Sequence, residues 1–174
     1  MFIRGAVAEK NTILYTAELM CSAARTAPKA RGIDKIVTGI VTGDEKDAIA
    51  NEMRKLFEET GSAYFERDSI NLDNSQAVVL VGTVGGIKGL NCGLCGYPTC
   101  AELAKTGGHC AYDDIDLGIA LGSAVTIAAK NYVDNRIMLS VGLAAKRLGY
   151  LGDEALKMFG IPLSTSGKSP YFDR

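Results

Sequence analysis

Apolar positions recur every three or four residues over 12–26, where Ile13, Leu14, Ala17, Met20, Cys21 and Ala24 share one stripe. The spacing predicts an amphipathic helix capped at Thr12 and ended by Pro28. The period then changes. Residues 34–42 are rich in β-branched side chains between Gly32 and Gly43 and predict a strand. Asp44 is placed to cap a second helix with Ile49, Met53, Leu56 and Phe57 inward and Thr60-Gly61 as its stop. Residues 62–76 are polar and mixed, which predicts a connection or an irregular strand. Ala77 to Val84 is almost continuously apolar yet too short for a typical helix, so it reads as a central strand buried on both faces.

The second half alternates loop and helix. Gly82, Gly85, Gly86, Gly89, Gly93 and Gly96 crowd into a loop whose backbone is free to wrap tightly. Pro98 suits the first turn of a short helix ending at Gly107-Gly108. Residues 116–130 predict an apolar helix carrying Gly118 and Gly122 on one face, spaced to let another backbone approach. After a break at 132–135, Asp134 is placed to cap a helix with Ile137, Val141, Ala144, Ala145 and Leu148 inward. The stretch from Ile161 to Pro170 is turn-rich and reads as extended.

Composition narrows the function classes. The 174 residues are 47% hydrophobic and 22% charged, an ordinary globular balance. Area scaling buries roughly 70% of the unfolded surface, so the core needs no cross-links. Nineteen basic against twenty acidic residues leave a net charge of −1, with no overall footprint for nucleic acid or an anionic membrane. The longest uncharged apolar stretch, 117–129, falls short of the roughly 20 residues that cross a bilayer. The N-terminus lacks a hydrophobic region before Glu9 and Lys10, so no signal peptide is expected and the expected location is the cytoplasm, where thiols stay reduced.

That makes the cysteines the salient feature. Cys92, Cys95, Cys100 and Cys110 follow the spacing C-x2-C-x4-C-x9-C, and Cys21 stands apart on its helix stripe as a core residue. Four soft ligands this close point to metal or cluster ligation. Three cysteines crowded into nine residues with one later partner favour a [4Fe-4S] cluster. Structural zinc, which more often pairs two separated C-x2-C knuckles, is the alternative, with free thiols or a disulfide behind it. Gly93 and Gly96 let backbone N–H groups approach the sulfurs. His109 is either a substitute ligand or a loop residue beside the site. Lys88, Lys105 and Lys130 lie either near an anionic cluster or in solvent. The stretch 82–89 matches neither dinucleotide nor phosphate-loop patterns, and with one histidine no Ser/His/Asp set is available.

The segment Cys92-Gly-Leu-Cys95-Gly-Tyr-Pro-Thr-Cys100 resembles the four-cysteine [4Fe-4S] domain of electron-transport subunits and corrinoid iron–sulfur proteins, with a shorter gap before the fourth cysteine at Cys110. The whole chain, from Arg4-Gly-Ala-Val-Ala-Glu to Pro162-Leu-Ser-Thr-Ser-Gly-Lys168, resembles the uncharacterised ferredoxin-domain-containing protein family of anaerobic bacteria and archaea. Residues 24–31, the strand at 36–41, the helix at 46–56, Asp116-x-Gly118-x-Ala120 and the terminal Gly-Lys-Ser-Pro-Tyr-Phe-Asp-Arg are similar to the frame of flavin-dependent nitroreductases, which are homodimers holding FMN at the interface. That likeness implies Arg4, Lys29, Arg31 and Lys168 as flavin-contacting residues. The paired arginines of the nitroreductase phosphate site are reduced to Arg4, and the Asn, Gln and Trp that come after the Ala-Pro segment there are absent.

Taken together, the expectation is an α+β fold over residues 1–174, with a nitroreductase-like mixed sheet flanked by helices and a Gly/Cys-rich loop inserted at 85–112. The expected function is a homodimeric iron–sulfur redox protein holding a [4Fe-4S] cluster on Cys92, Cys95, Cys100 and Cys110, served by a redox partner protein and linked to a flavin or substrate at the interface. The competing readings are a structural-zinc interaction module and an FMN-binding nitroreductase-like oxidoreductase.

Overall fold

The apolar run at 77–83 organises the fold. In the computed structural model, which describes residues 1–172, it forms β2 (Ala77–Thr83), buried at every position. Side chains alternate along it: Ala77, Val79 and Val81 enter one apolar cluster, Val78 and Leu80 the other. β2 pairs antiparallel with β1 (Ile36–Thr42) on one side and with β4 (Lys157–Ser164) on the other, and the short β3 (Asp134–Asn135) completes the order β1-β2-β4-β3. Where a mixed sheet was expected, every pairing among the described residues is antiparallel.

Helices cover both faces. On one lie α1 (Gly5–Thr26) and α5 (Ala111–Lys130), whose Ile13, Ala17, Met20 and Leu117, Ala120, Ala124 pack on Val79, Val81 and Ile161. On the other lie α2 (Gly43–Thr60), α3 (Ala63–Asp73) and α6 (Leu139–Arg147), with Ile49, Met53, Phe65, Leu72 and Val141 on Val78 and Leu80. The backbone of α6 lies directly on β4: a Cβ built on Gly142 would sit 2.0 Å from the Met158 carbonyl oxygen.

Several boundaries move. α1 begins at Gly5 rather than at Thr12, whose hydroxyl donates to the Ala8 carbonyl at 2.9 Å within the helix. Residues 1–12 are exposed all round, so no stripe marks that part of the helix. The stretch 62–76 is mostly helix, whose inward residues Phe65, Asp68, Ser69, Asn71 and Leu72 are more than half polar. Asp44 sits in the first turn of α2, with Thr42 at the cap position. The short helix after Pro98 is α4 (Cys100–Thr106), capped by Thr99, whose hydroxyl accepts from Glu102 N–H at 3.2 Å. α5 starts at Ala111, five residues earlier than the apolar run indicates. Asp134 pairs with Ser164 in the sheet instead of capping α6, and Ile137 and Leu148 are exposed rather than inward. Residues 161–164 belong to β4, and the turn-rich stretch begins only beyond Ser164.

Candidate metal centre

β2 runs out at Thr83 into a stretch without regular structure that delivers the cysteines. Left-handed φ values occur at Gly85, Gly86, Gly89, Gly93 and Gly96, which accounts for the glycines, and at one other residue, Asn91 (φ 47°). Asparagine tolerates that conformation best among residues with a Cβ. It also ties the loop to α4: the Asn91 N–H donates to Cys100 Sγ at 3.3 Å, and the Cys100 N–H donates to Asn91 Oδ1 at 2.7 Å. A tight turn, Gly96 N–H to the Gly93 carbonyl at 2.9 Å, holds Leu94 and Cys95 at its corner. Cys110 occupies the cap position of α5, its carbonyl accepting from Asp113 N–H at 3.0 Å.

Cys92, Cys95, Cys100 and Cys110 consequently line a single narrow cleft together with Lys88, Asn91, Tyr97 and Tyr112. All four are free thiols, graded from exposed Cys92 through half-buried Cys95 and Cys100 to buried Cys110. Among the described residues no three Cys, His, Asp or Glu side chains gather closely enough to hold one metal ion. His109 is exposed beside the cleft. Cys21 packs, half-buried, against the core on α1, and burial pushes its thiol up.

Lys88 is buried in the wall of this cleft. Its Nζ lies 3.0 Å from Asp116 Oδ2, an ion contact without hydrogen-bond alignment, and donates to the Ile33 carbonyl at 3.0 Å. Asp116 Oδ1 accepts from Ala30 N–H at 3.0 Å, and Arg31 Nη1 donates to the Lys88 carbonyl at 2.8 Å. One turn away Asp113 Oδ2 accepts from Gly86 N–H at 3.0 Å while its Oδ1 is buried without a partner. Segment 30–33, the cysteine loop and the first turns of α5 are thus laced together beneath the thiols. Asn91, Asp113 and Asp116 escape a reading of the sequence for site residues. Their signal is faint: an amide residue inside a glycine run and two carboxylates three apart on an apolar helix.

The residues implied for flavin contact are dispersed within one protomer. Arg4 caps the start of α1 and is exposed. Lys29 turns back on the other end, donating to the carbonyls of Ala24 (3.0 Å), Ala27 (2.8 Å) and Arg25. Twenty-two helical residues put these ends about 33 Å apart. Arg31 lies against the cysteine loop. Lys168 lies beyond β4 in a turn where the Ser166 hydroxyl donates to its carbonyl at 2.6 Å. A cleft of about 640 Å³ opens between Ala8–Thr12 of α1 and Thr165–Gly167, and none of Arg4, Lys29, Arg31 and Lys168 lines it. Of the remaining lysines, Lys105 and Lys130 are exposed.

Comparison with known proteins agrees with this layout. Residues 89–106 match a family model described as "Putative Fe-S cluster", and residues 106–174 match one described as "Uncharacterized protein containing a ferredoxin domain". Cys92, Cys95 and Cys100 fall in the first and Cys110 in the second. An uncharacterised protein of Archaeoglobus fulgidus is 44% identical over 171 residues, covering 93% of this chain and 91% of its own. Among solved structures, the nitroreductase CinD of Lactococcus lactis in complex with nicotinic acid superposes with a TM-score of 0.60 at 14% identity, over 97% of this chain and 95% of that one. A nitroreductase with bound FMN from Desulfitobacterium hafniense gives 0.57 at 13% identity, over 88% and 78%. The likeness establishes a nitroreductase-like α+β fold. On that fold, and by its near full-length match to the archaeal protein, the chain belongs to the ferredoxin-domain-containing protein family.

Proposed function

We propose that this protein is an electron carrier holding a [4Fe-4S] cluster on Cys92, Cys95, Cys100 and Cys110. The observation that carries the reading is that four thiols 18 residues apart in sequence at most line one cleft in a loop of left-handed glycines. A single zinc ion asks for four sulfurs at about 2.3 Å from one point, whereas a cubane takes its ligands at four corners of a larger body. All four thiols line the one cleft, and three of them crowd into nine residues of sequence, which suits the larger body. When bound, the cluster supplies one-electron chemistry. The chain's own part is to present N–H groups such as that of Asn91 to the sulfurs, to keep Cys110 dry, and to set the buried Lys88 ammonium in the cleft wall.

The protein acts as a homodimer in this reading. α5 turns Ile115 and Ile119 outward, each 41% exposed, and a Cβ on Gly118 or Gly122 of the same helix would meet nothing within 4 Å. Val7 and Tyr15 of α1 are exposed as well. The accessible surface of 9085 Å² exceeds the roughly 8,200 Å² typical of a monomer of this mass. A second copy covering α1 and α5 removes that excess.

Anaerobic purification followed by iron, sulfide and zinc analysis and a visible spectrum tests the cluster. About four iron and four sulfide per chain are expected, with a broad absorption that Cys95→Ser abolishes. One zinc per chain, without iron or colour, overturns it in favour of a structural-zinc module. A flavin reading is supported by the fold shared with a nitroreductase that holds FMN; quenching of FMN fluorescence on titration supports it, and unquenched FMN at micromolar protein removes it.

A further inference from the structure

The loop that carries the cysteines also carries apolar side chains outward. Ile87, Leu90 and Leu94 are 40, 41 and 59% exposed, and Leu94 stands at the corner of the Gly93–Gly96 turn between Cys92 and Cys95. Each leaves apolar surface in water that a docked partner would cover. Cations surround them. Arg31 abuts Gly89, its Nη1 3.0 Å from where a Cβ would be, and the Lys35 stem abuts Gly86 at 3.4 Å. Lys105 is exposed in the last turn of α4. Nearby carboxylates are taken: Asp34 by Arg25 and Lys29, Asp114 by Lys157. Glu102, in the first turn of α4, is an exposed acid.

We propose that this face docks an acidic single-electron carrier protein, with Ile87, Leu90 and Leu94 as the apolar centre and Arg31, Lys35 and Lys105 as the cationic rim. The inference rests on the cluster reading above. Electron carriers meet through small transient interfaces in which charge sets the encounter rate and a modest apolar contact fixes the pose. Leu94, flanked by two ligands, brings the partner to within a few bonds of the sulfurs. The carrier loses one electron and the cluster gains it, with no bond broken and no proton moved.

Stopped-flow reduction of the cluster-loaded protein by fully reduced flavodoxin, a small, strongly acidic donor with its own visible signature, tests the surface. The second-order rate is expected to fall about tenfold from roughly 20 to 500 mM salt as the screening length shrinks. The double variant Lys35→Glu/Lys105→Glu, with unchanged iron, sulfide and spectrum, is expected to be about tenfold slower at low salt and to converge on the parent at high salt. Leu94→Ser is expected to slow the reaction severalfold at both. A rate indifferent to salt and to the charge reversal overturns the docking surface alone. A preparation without iron and sulfide overturns the cluster, and the docking surface with it.

Discussion

Replacing Lys88 by methionine isolates the buried lacework under the thiols. The side chain keeps its length and loses its charge, and its neighbour Asp116, 3% exposed, keeps one hydrogen bond, from Ala30 N–H. Removing one partner of a buried ion pair costs about 3–5 kcal/mol, because the remaining charge has neither water nor a counter-ion. For a domain of this size each kcal/mol moves the melting temperature about 2–4 °C, so Lys88→Met is expected to melt roughly 6–20 °C below the parent. The double variant Lys88→Met/Asp116→Leu removes both charges and sacrifices the hydrogen bonds to Ala30 N–H and the Ile33 carbonyl, about 1 kcal/mol each, so it is expected to recover part of the loss. Calorimetry under reducing conditions, at matched metal content because ligand loading itself shifts stability, reads both. A single variant within about 2 °C of the parent, or a double variant no more stable than the single, refutes the argument that this pair fastens the loop to α5.

Gly142→Ala drives a methyl group into the Met158 carbonyl and is expected to cost about 3 kcal/mol, seen as a lower denaturation midpoint; the parental midpoint would show that α6 slides on β4 freely. Asn91→Gly keeps the left-handed backbone and loses only the bond to Cys100 N–H, whereas Asn91→Ala adds about 1 kcal/mol of strain, so melting should rank parent, Gly, Ala. At Asp34, burial pushes the carboxyl up, but the Arg25 hydrogen bond, the Ile36 N–H and the nearby Lys29 outweigh it and hold the group below the ordinary value. The stability this contributes is present above about pH 4 and lost as pH falls through the lowered value; Asp34→Asn is expected to flatten that acid limb in pH-dependent denaturation. Burial raises the Tyr171 hydroxyl above its ordinary value, against the Ser75 hydrogen bond, so its contribution persists below about pH 10 and disappears as pH climbs through the raised value; Tyr171→Phe is expected to shallow that alkaline limb.

What the sequence disclosed depended on whether one force acted alone. β2 was legible because burial on both faces leaves an uninterrupted apolar run, and α2 because its stripe ends at Gly61, which takes a left-handed φ of 69°. α3 was hidden because three of its five inward positions are polar: Asp68 is buried with the Ser140 hydroxyl donating to it at 2.5 Å, a pairing 72 residues apart that no local pattern announces. The N-terminal turns of α1 carried no stripe because nothing in the protomer covers them. In the site, spacing and softness brought out the four cysteines, whereas Lys88 stayed ambiguous. Its counter-charge comes from Asp116, 28 positions downstream on another element.

α5 joins the two halves of the functional reading. A period of 3.6 residues turns Asp113, Asp116, Leu117 and Ala120 inward, to the cysteine loop and the core, and Ile115, Gly118, Ile119 and Gly122 outward. Its cap residue is Cys110, the most buried of the four thiols. Ile119 lies nine residues along, about 13 Å up the helix axis. A rigid element of that length places the proposed fourth ligand and the proposed partner-facing surface on the same body, with no flexible joint between them. Segment 30–33 is fastened to it through Asp116 and Lys88, so Arg31 moves with the cluster loop rather than with Arg4 at the far end of α1. In the proposed homodimer a second copy seated on α5 registers against the cysteine centre itself, the geometry by which an electron on the proposed cluster would leave one protomer for an acceptor at the interface.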